Sequence, residues 1–228
     1  MICPRLVLEV RFNFLLNLMN ESKKLLAPFA RFADQVSIRD AGNFKEAIIL
    51  DYLEDSIRII LNPDRLTLLI EGDFDKIKES ANSYSKYYFE ILERVQNLDD
   101  FGSIVNYIYE VDLIEYADDQ LPGVIKSEFI ERYFSKKFST DHLDKDYFDL
   151  SWSNKTSISE EFMVYSIFDK SFQTELSRKF FQLNSAKLEK FKLSQGRHCY
   201  WKIFEKESTH LDEKIFKKLL EKSSNLLG

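Results

Sequence analysis

Residues 196 to 207, GRHCYWKIFEKE, hold the densest chemistry in the chain: an imidazole next to a thiol, then a phenol and an amine at alternate positions. A cysteine nucleophile activated by histidine needs sulfur and ring nitrogen within hydrogen-bond reach. The polar and apolar residues of this stretch alternate, which predicts extended chain, and neighbouring side chains of a strand leave on opposite faces. His198 and Cys199 therefore look away from each other. Cys199, Trp201 and Ile203 share the side expected to face a core, and His198, Tyr200 and Lys202 share the other. A free cysteine on the core side is expected to be a buried, unreactive thiol. The row of His198, Tyr200 and Lys202 supplies a general acid, a base and a phosphate contact of the kind a metal-independent ribonuclease uses. The same row also describes the ordinary solvent side of an antiparallel sheet.

Charge is segregated around this stretch. Between Leu176 and Lys202 the basic residues Arg178, Lys179, Lys187, Lys190, Lys192, Arg197 and Lys202 face Glu189 alone, with Phe180, Phe181, Phe191, Tyr200 and Trp201 interleaved. A nucleic-acid-binding reading takes Lys187, Lys190, Lys192, Arg197, His198, Tyr200 and Lys202 as its site, with cations on phosphates and rings on bases. Residues 99 to 119 are the converse, with Asp99, Asp100, Glu110, Asp112, Glu115, Asp118 and Asp119 and no Lys or Arg. The competing reading sets the two surfaces against each other across the fold or across a homodimer. Such segregation points to a protein partner.

The run DHLDKDYFD, 141 to 149, gathers Asp141, His142, Asp144, Asp146 and Asp149. Counted from Asp144, the loop glycine and the closing glutamate of an EF-hand fall on Asp149 and Lys155, so the stretch reads as a solvated turn entering a strand. Phosphate-binding glycine loops, nucleophile elbows, HExxH and CxxC pairs are all missing from the sequence, which contains three histidines. Few metal or acid–base schemes remain, and no metal or cofactor is expected.

The elements that position these residues follow from periodicity. Residues 5 to 14, RLVLEVRFNF, alternate as a strand, and a short helix from about Asn20 to Ala27 should end or kink at Pro28. Residues 47 to 72 read as three strands with Asn62-Pro63-Asp64 as a turn between the last two. Apolar positions from Asp73 to Leu98 keep helical spacing, and 103 to 116 return to a strand of β-branched and aromatic residues. The turn DDQLPG, 118 to 123, suggests a soft boundary between halves 1–117 and 118–228. The second half predicts a helix with Ile125, Phe129, Ile130, Tyr133 and Phe134 on one face, and strands near 146–153, 161–169, 177–184 and 198–205. It closes with a helix from about His210 to Leu227. The fold class is α+β: two similar halves related by a degenerate duplication, each an antiparallel meander with a long helix packed on it, or else one continuous sheet.

Composition supports a self-sufficient core. The chain has 228 residues with 20 Phe and 11 Tyr against 6 Gly and 4 Pro, and a net charge of -6 that gives no global pull toward nucleic acid or an anionic membrane. No stretch is long and apolar enough for a membrane span, and MICPRLVLEVRFNF does not read as a signal peptide. Cys3 and Cys199 are expected to be free thiols in a reducing cytoplasm.

The opening strand Pro4-Arg5-Leu6-Val7-Leu8-Glu9-Val10-Arg11-Phe12, the hairpin residues Asp64-Arg65-Leu66-Thr67-Leu68, the long helix after them and Asn106-Tyr107-Ile108 resemble a sporadically distributed, uncharacterised bacterial protein family. The resemblance covers about residues 4 to 115. The arginine usual before the tyrosine strand is replaced by Val105-Asn106, and the second half shows no matching motif. Such a family implies no established activity and no site residue. Its patchy distribution suits mobile defence or toxin-neutralising systems. The resulting expectation is a non-catalytic intracellular interaction protein, an accessory or immunity component of such a system, working through a protein partner or as a homo-oligomer. RNA binding or metal-independent ribonuclease activity by segment 178–202 is the alternative, and an aromatic-lined cavity for a small molecule is a third.

Overall fold

The computed structural model describes residues 1–133, 149–168, 178–206 and 211–227. Nine antiparallel strands form one sheet. They are β1 (Ile2–Phe12), β2 (Gln35–Arg39), β3 (Ala47–Tyr52), β4 (Ile57–Asn62), β5 (Arg65–Asp73), β6 (Ile104–Tyr116), β7 (Asp149–Lys155), β8 (Ser159–Phe168) and β9 (Gly196–Lys206). Their spatial order is β2-β3-β4-β5-β1-β6-β9-β8-β7. The protein is α+β, with one meander from β2 to β5 and another from β7 to β9. The sheet continues unbroken past residue 117, because β6 and β9 pair along their whole lengths from Asn106↔Lys206 to Tyr116↔Gly196. Residues 1–117 contribute six strands and the described residues beyond them three, so strand content gives no support to an internal duplication.

Period-two burial divides the sheet into two faces. Leu6, Leu8, Val10, Leu66, Leu68, Ile70, Tyr109, Val111, Trp201 and Ile203 form the main core with the helices that cover that face. These include α1 (Leu18–Ala30), α2 (Phe74–Glu79) and α3 (Ala81–Gln96), and, later in the chain, a helix over Glu213–Ser223 that packs on α2 and α3. Buried hydroxyls in this layer are satisfied: Tyr88 donates to the Leu66 carbonyl at 3.2 Å, and Tyr109 meets Ser223 Oγ at 2.8 Å.

The opposite face has a smaller cover. After α4 (Pro122–Tyr133), α5 (Ser185–Leu193) lies over Phe168, Ile114, Phe180 and Phe181 through the fully buried Phe191. The Glu213–Ser223 helix is α6.

Several local expectations change. Pro28 falls inside α1, but in its last turn, where little helix remains to break. The predicted long helix is two helices, α2 and α3, divided at Ser80 (φ -110°, ψ 32°). Asp73 caps α2 by accepting from the N–H groups of Asp75 and Lys76. No strand occupies 178–184. Phe180 and Phe181 both bury in the same cluster, which adjacent strand residues facing opposite ways could not do. The left-handed Phe181 (φ 50°) turns the chain, and its N–H donates to the Pro4 carbonyl. The acidic run 141–148 lies outside the described residues, while Asp149 begins β7.

Candidate functional site

His198 and Cys199 do lie on a strand and on opposite faces of it. Cys199 is fully buried opposite Leu113 and Tyr165, and burial pushes its thiol up to about 12. Catalysis by that pair is ruled out by geometry. The second face of β9, in contrast, is not the ordinary solvent side. His198 is only 5 % exposed, and with Tyr200 and Lys202 it lines a pocket of about 560 Å³.

Strand register assembles this pocket. Arg5 of β1 and Tyr200 of β9 both stand opposite Asp112 of β6, Lys202 stands opposite Glu110, and Ser166 of β8 stands opposite His198. Irregular register on β1 between Ile2 and Leu6 lets Cys3 and Leu6 both face the main core, with Arg5 between them facing the pocket. Phe180 packs against His198 with ring centroids 5.5 Å apart and the rings tilted by 55°, and Lys179 and Gln182 complete that side.

The polar groups are wired to one another. His198 Nε2 lies 2.9 Å from Asp112 Oδ1, and its Nδ1 lies 3.0 Å from Ser166 Oγ. A carboxylate only accepts, so Nε2–H donates to Asp112, while Nδ1 is held by the Ser166 hydroxyl. Arg5 Nη1 reaches Glu110 at 3.1 Å and Asp112 at 3.8 Å, and Lys202 Nζ reaches Glu110 at 2.8 Å. Burial works against a charged Glu110, but the Lys202 and Arg5 contacts outweigh it and hold the carboxyl below its ordinary value. Burial, helped by Glu110 and Asp112, raises the Tyr200 phenol well above its own.

Serine, histidine and aspartate in one hydrogen-bonded line have the membership of a nucleophilic triad. Among the described residues the rest of that machinery is not assembled around Ser166. Ser166 is 2 % exposed, and β8 is paired on both sides, so its backbone N–H groups serve the ladder instead of an oxyanion. What this arrangement does well is hold Arg5, Lys202 and Tyr200 in fixed positions.

The seven residues of the nucleic-acid reading are not brought into one row. His198, Tyr200 and Lys202 line the pocket, while Lys187, Lys190 and Lys192 ride on α5. The Lys190 ammonium sits 4.9 Å from the Tyr116 ring centroid, and Lys192 pairs with Glu189 at 2.9 Å. Arg197, whose side chain leaves on the helix-covered face, pairs with Glu115 at 3.4 Å and with Glu128 of α4. The acidic segment meets the basic one within the chain, through Glu110–Lys202 and Glu115–Arg197 across the β6–β9 seam. Arg5, Asp112 and Ser166 are the pocket residues that sequence reasoning did not bring together with His198. They come from three other strands.

A second surface lies at the far edge of the sheet. Among the described residues β2 pairs only with β3. Its Val36 and Ile38 stand opposite the buried Leu50 and Ile48, yet remain 47 % and 44 % exposed. The apolar face of the sheet thus continues past its helical cover, and Phe32, stacked on Tyr87, and Leu53 are exposed nearby.

Among the described residues no helix is long and apolar enough to cross a membrane. No family model matches the chain, and no curated protein matches it.

Proposed function

We propose that this is a non-catalytic interaction protein that receives an extended segment of a partner protein along the β2 edge. The observation that carries the reading is the pair Val36 and Ile38, apolar, aligned on one face and exposed on a strand with one unpaired side. An open strand edge offers a row of backbone donors and acceptors, and proteins commonly blunt such edges with charge or proline. QVSIR does so only at its end, with Arg39. A partner strand with apolar residues at alternate positions would extend the sheet and cover both side chains, the usual mode of strand addition. The burial of Ser166, only 2 % exposed at the end of its line with His198 and Asp112, supports the non-catalytic part. A role as an accessory or immunity component of a defence or toxin system rests on the resemblance of the first half.

The test is co-purification from native extract with the wild type and with a Val36→Lys/Ile38→Lys variant. A partner retained by the wild type and lost by the folded variant is the expected result. A wild-type protein that stays alone and monomeric at micromolar concentration, or a partner held equally by both, would overturn it.

A further inference from the structure

The pocket on the second face is balanced in charge but not in hydrogen-bond capacity. Two of its three carboxylates are spent inside the fold, Glu110 taking Lys202 on one oxygen and Arg5 on the other and Asp112 taking His198, while the third, Asp149, lies exposed on the wall at the start of β7. The cations are not spent. Arg5 uses Nη1 on both acids, which leaves Nε and Nη2 without an acceptor among the described residues. Lys202 commits one contact of an ammonium that has three donors. Lys179 is exposed on the pocket wall and makes no hydrogen bond or ion pair among the described residues. The surplus is therefore of donors, carried by guanidinium and ammonium groups that their own carboxylates hold in place.

We infer that this pocket binds a small organic oxyanion, a carboxylate or a phosphate monoester, with its head group between Lys179, Lys202 and Arg5 and an aromatic body against Val164, Phe180 and Tyr200. A volume of about 560 Å³ is in the range of small-molecule sites, which combine apolar walls with a few convergent polar groups. Charge-assisted bonds to a fixed guanidinium and two ammonium groups favour an oxyanion over any neutral molecule of the same shape. Glu110 and Asp112 act as positioning residues: they repel an anion that approaches them directly, but they fix the cations that receive it. Arg5 and Lys202 then need little reorganisation on binding. This site is separate from the β2 edge and stands or falls independently of the partner proposed there.

Calorimetric titration at low salt with phenyl phosphate, benzoate, benzyl alcohol and benzylamine tests the inference. At least one anion should saturate a single site about tenfold more tightly than benzyl alcohol, and benzylamine should not bind. Lys179→Met removes a side chain with no partner in the fold. It should weaken the anion about fivefold or more and leave the unfolding temperature unchanged. Preference for phenyl phosphate or for benzoate assigns the head group. Failure of both anions to saturate, equal binding of benzyl alcohol, or an unchanged affinity in Lys179→Met would each overturn the assignment.

Discussion

Asp112 and His198 meet at 2.9 Å across two adjacent strands that lie 86 residues apart in the chain, and each side chain is about 5 % exposed. Removing one member of so buried a polar pair leaves the other with its desolvation uncompensated. Asp112→Ala, which strips an acceptor from both His198 and Arg5, should cost about 3 kcal/mol in urea unfolding. Asp112→Asn keeps an acceptor oxygen and should cost about 1 kcal/mol. Equal, small losses for both would show that the pair does not brace the sheet.

Glu71 gives a dependence on pH. It sits 1 % exposed on the second face of β5, where burial pushes its carboxyl from the ordinary 4.5 up to about 7, against the opposing help of the Leu183 and Gln182 backbone N–H groups, Arg58 and Lys187. Its Oε1 has no hydrogen-bond partner among the described residues. Below pH 4.5 folded and unfolded chains both hold the proton. As pH rises from 4.5 to about 7 only the folded chain keeps it, so this group's contribution to stability is lost across that window. Glu71→Gln should therefore gain stability over the wild type between about pH 5 and pH 8, read as urea midpoints. A difference that stays flat with pH would contradict this.

Both thiols should be silent in the native protein. Burial raises Cys3 well above its ordinary value and Cys199 to about 12, so the thiolate that reacts is almost absent at neutral pH. Ellman's reagent should release no thionitrobenzoate from the folded chain and two equivalents in guanidinium. Rapid labelling of one native thiol would mean that its strand opens.

Gly196 opens β9 where a Cβ would run into the Glu115 carbonyl oxygen of β6. Gly196→Ala should cost about 2 kcal/mol by forcing the seam apart. Gly123, in α4, has open space around its would-be Cβ, so Gly123→Ala should instead gain about 0.5 kcal/mol. Thermal unfolding of the two variants reads both signs at once.

Much of this was legible in the residue pattern, and the failures have physical causes. Period-two alternation located β1 and β9, because each has one face in the main core, while β-branched and aromatic composition located β6 and the Asn62-Pro63-Asp64 turn separated β4 from β5. The alternation also placed His198, Tyr200 and Lys202 on a common face. β2 was missed because neither of its faces is buried, so nothing in its pattern marks a core. α5 was missed because Phe191 is its one buried residue, although Asn184, which caps it by accepting from the Lys187 N–H, was a readable start signal. Phe180-Phe181 looked like strand since aromatic pairs favour sheets, and no local rule shows that both would enter one cluster from a turn. The pocket was only partly legible for a different reason. Arg5, Asp112 and Ser166 join His198 through register between four strands, and register is a property of the assembled sheet.

The place of β1 between β5 and β6 has a consequence for how the molecule comes into being. The central strand precedes both of its neighbours in the chain, and neither exists until residues 65–73 and then 104–116 have followed. Through that interval an apolar ribbon waits with both margins bare, so the nascent chain is most vulnerable to chaperone capture or mispairing before its sixth strand emerges.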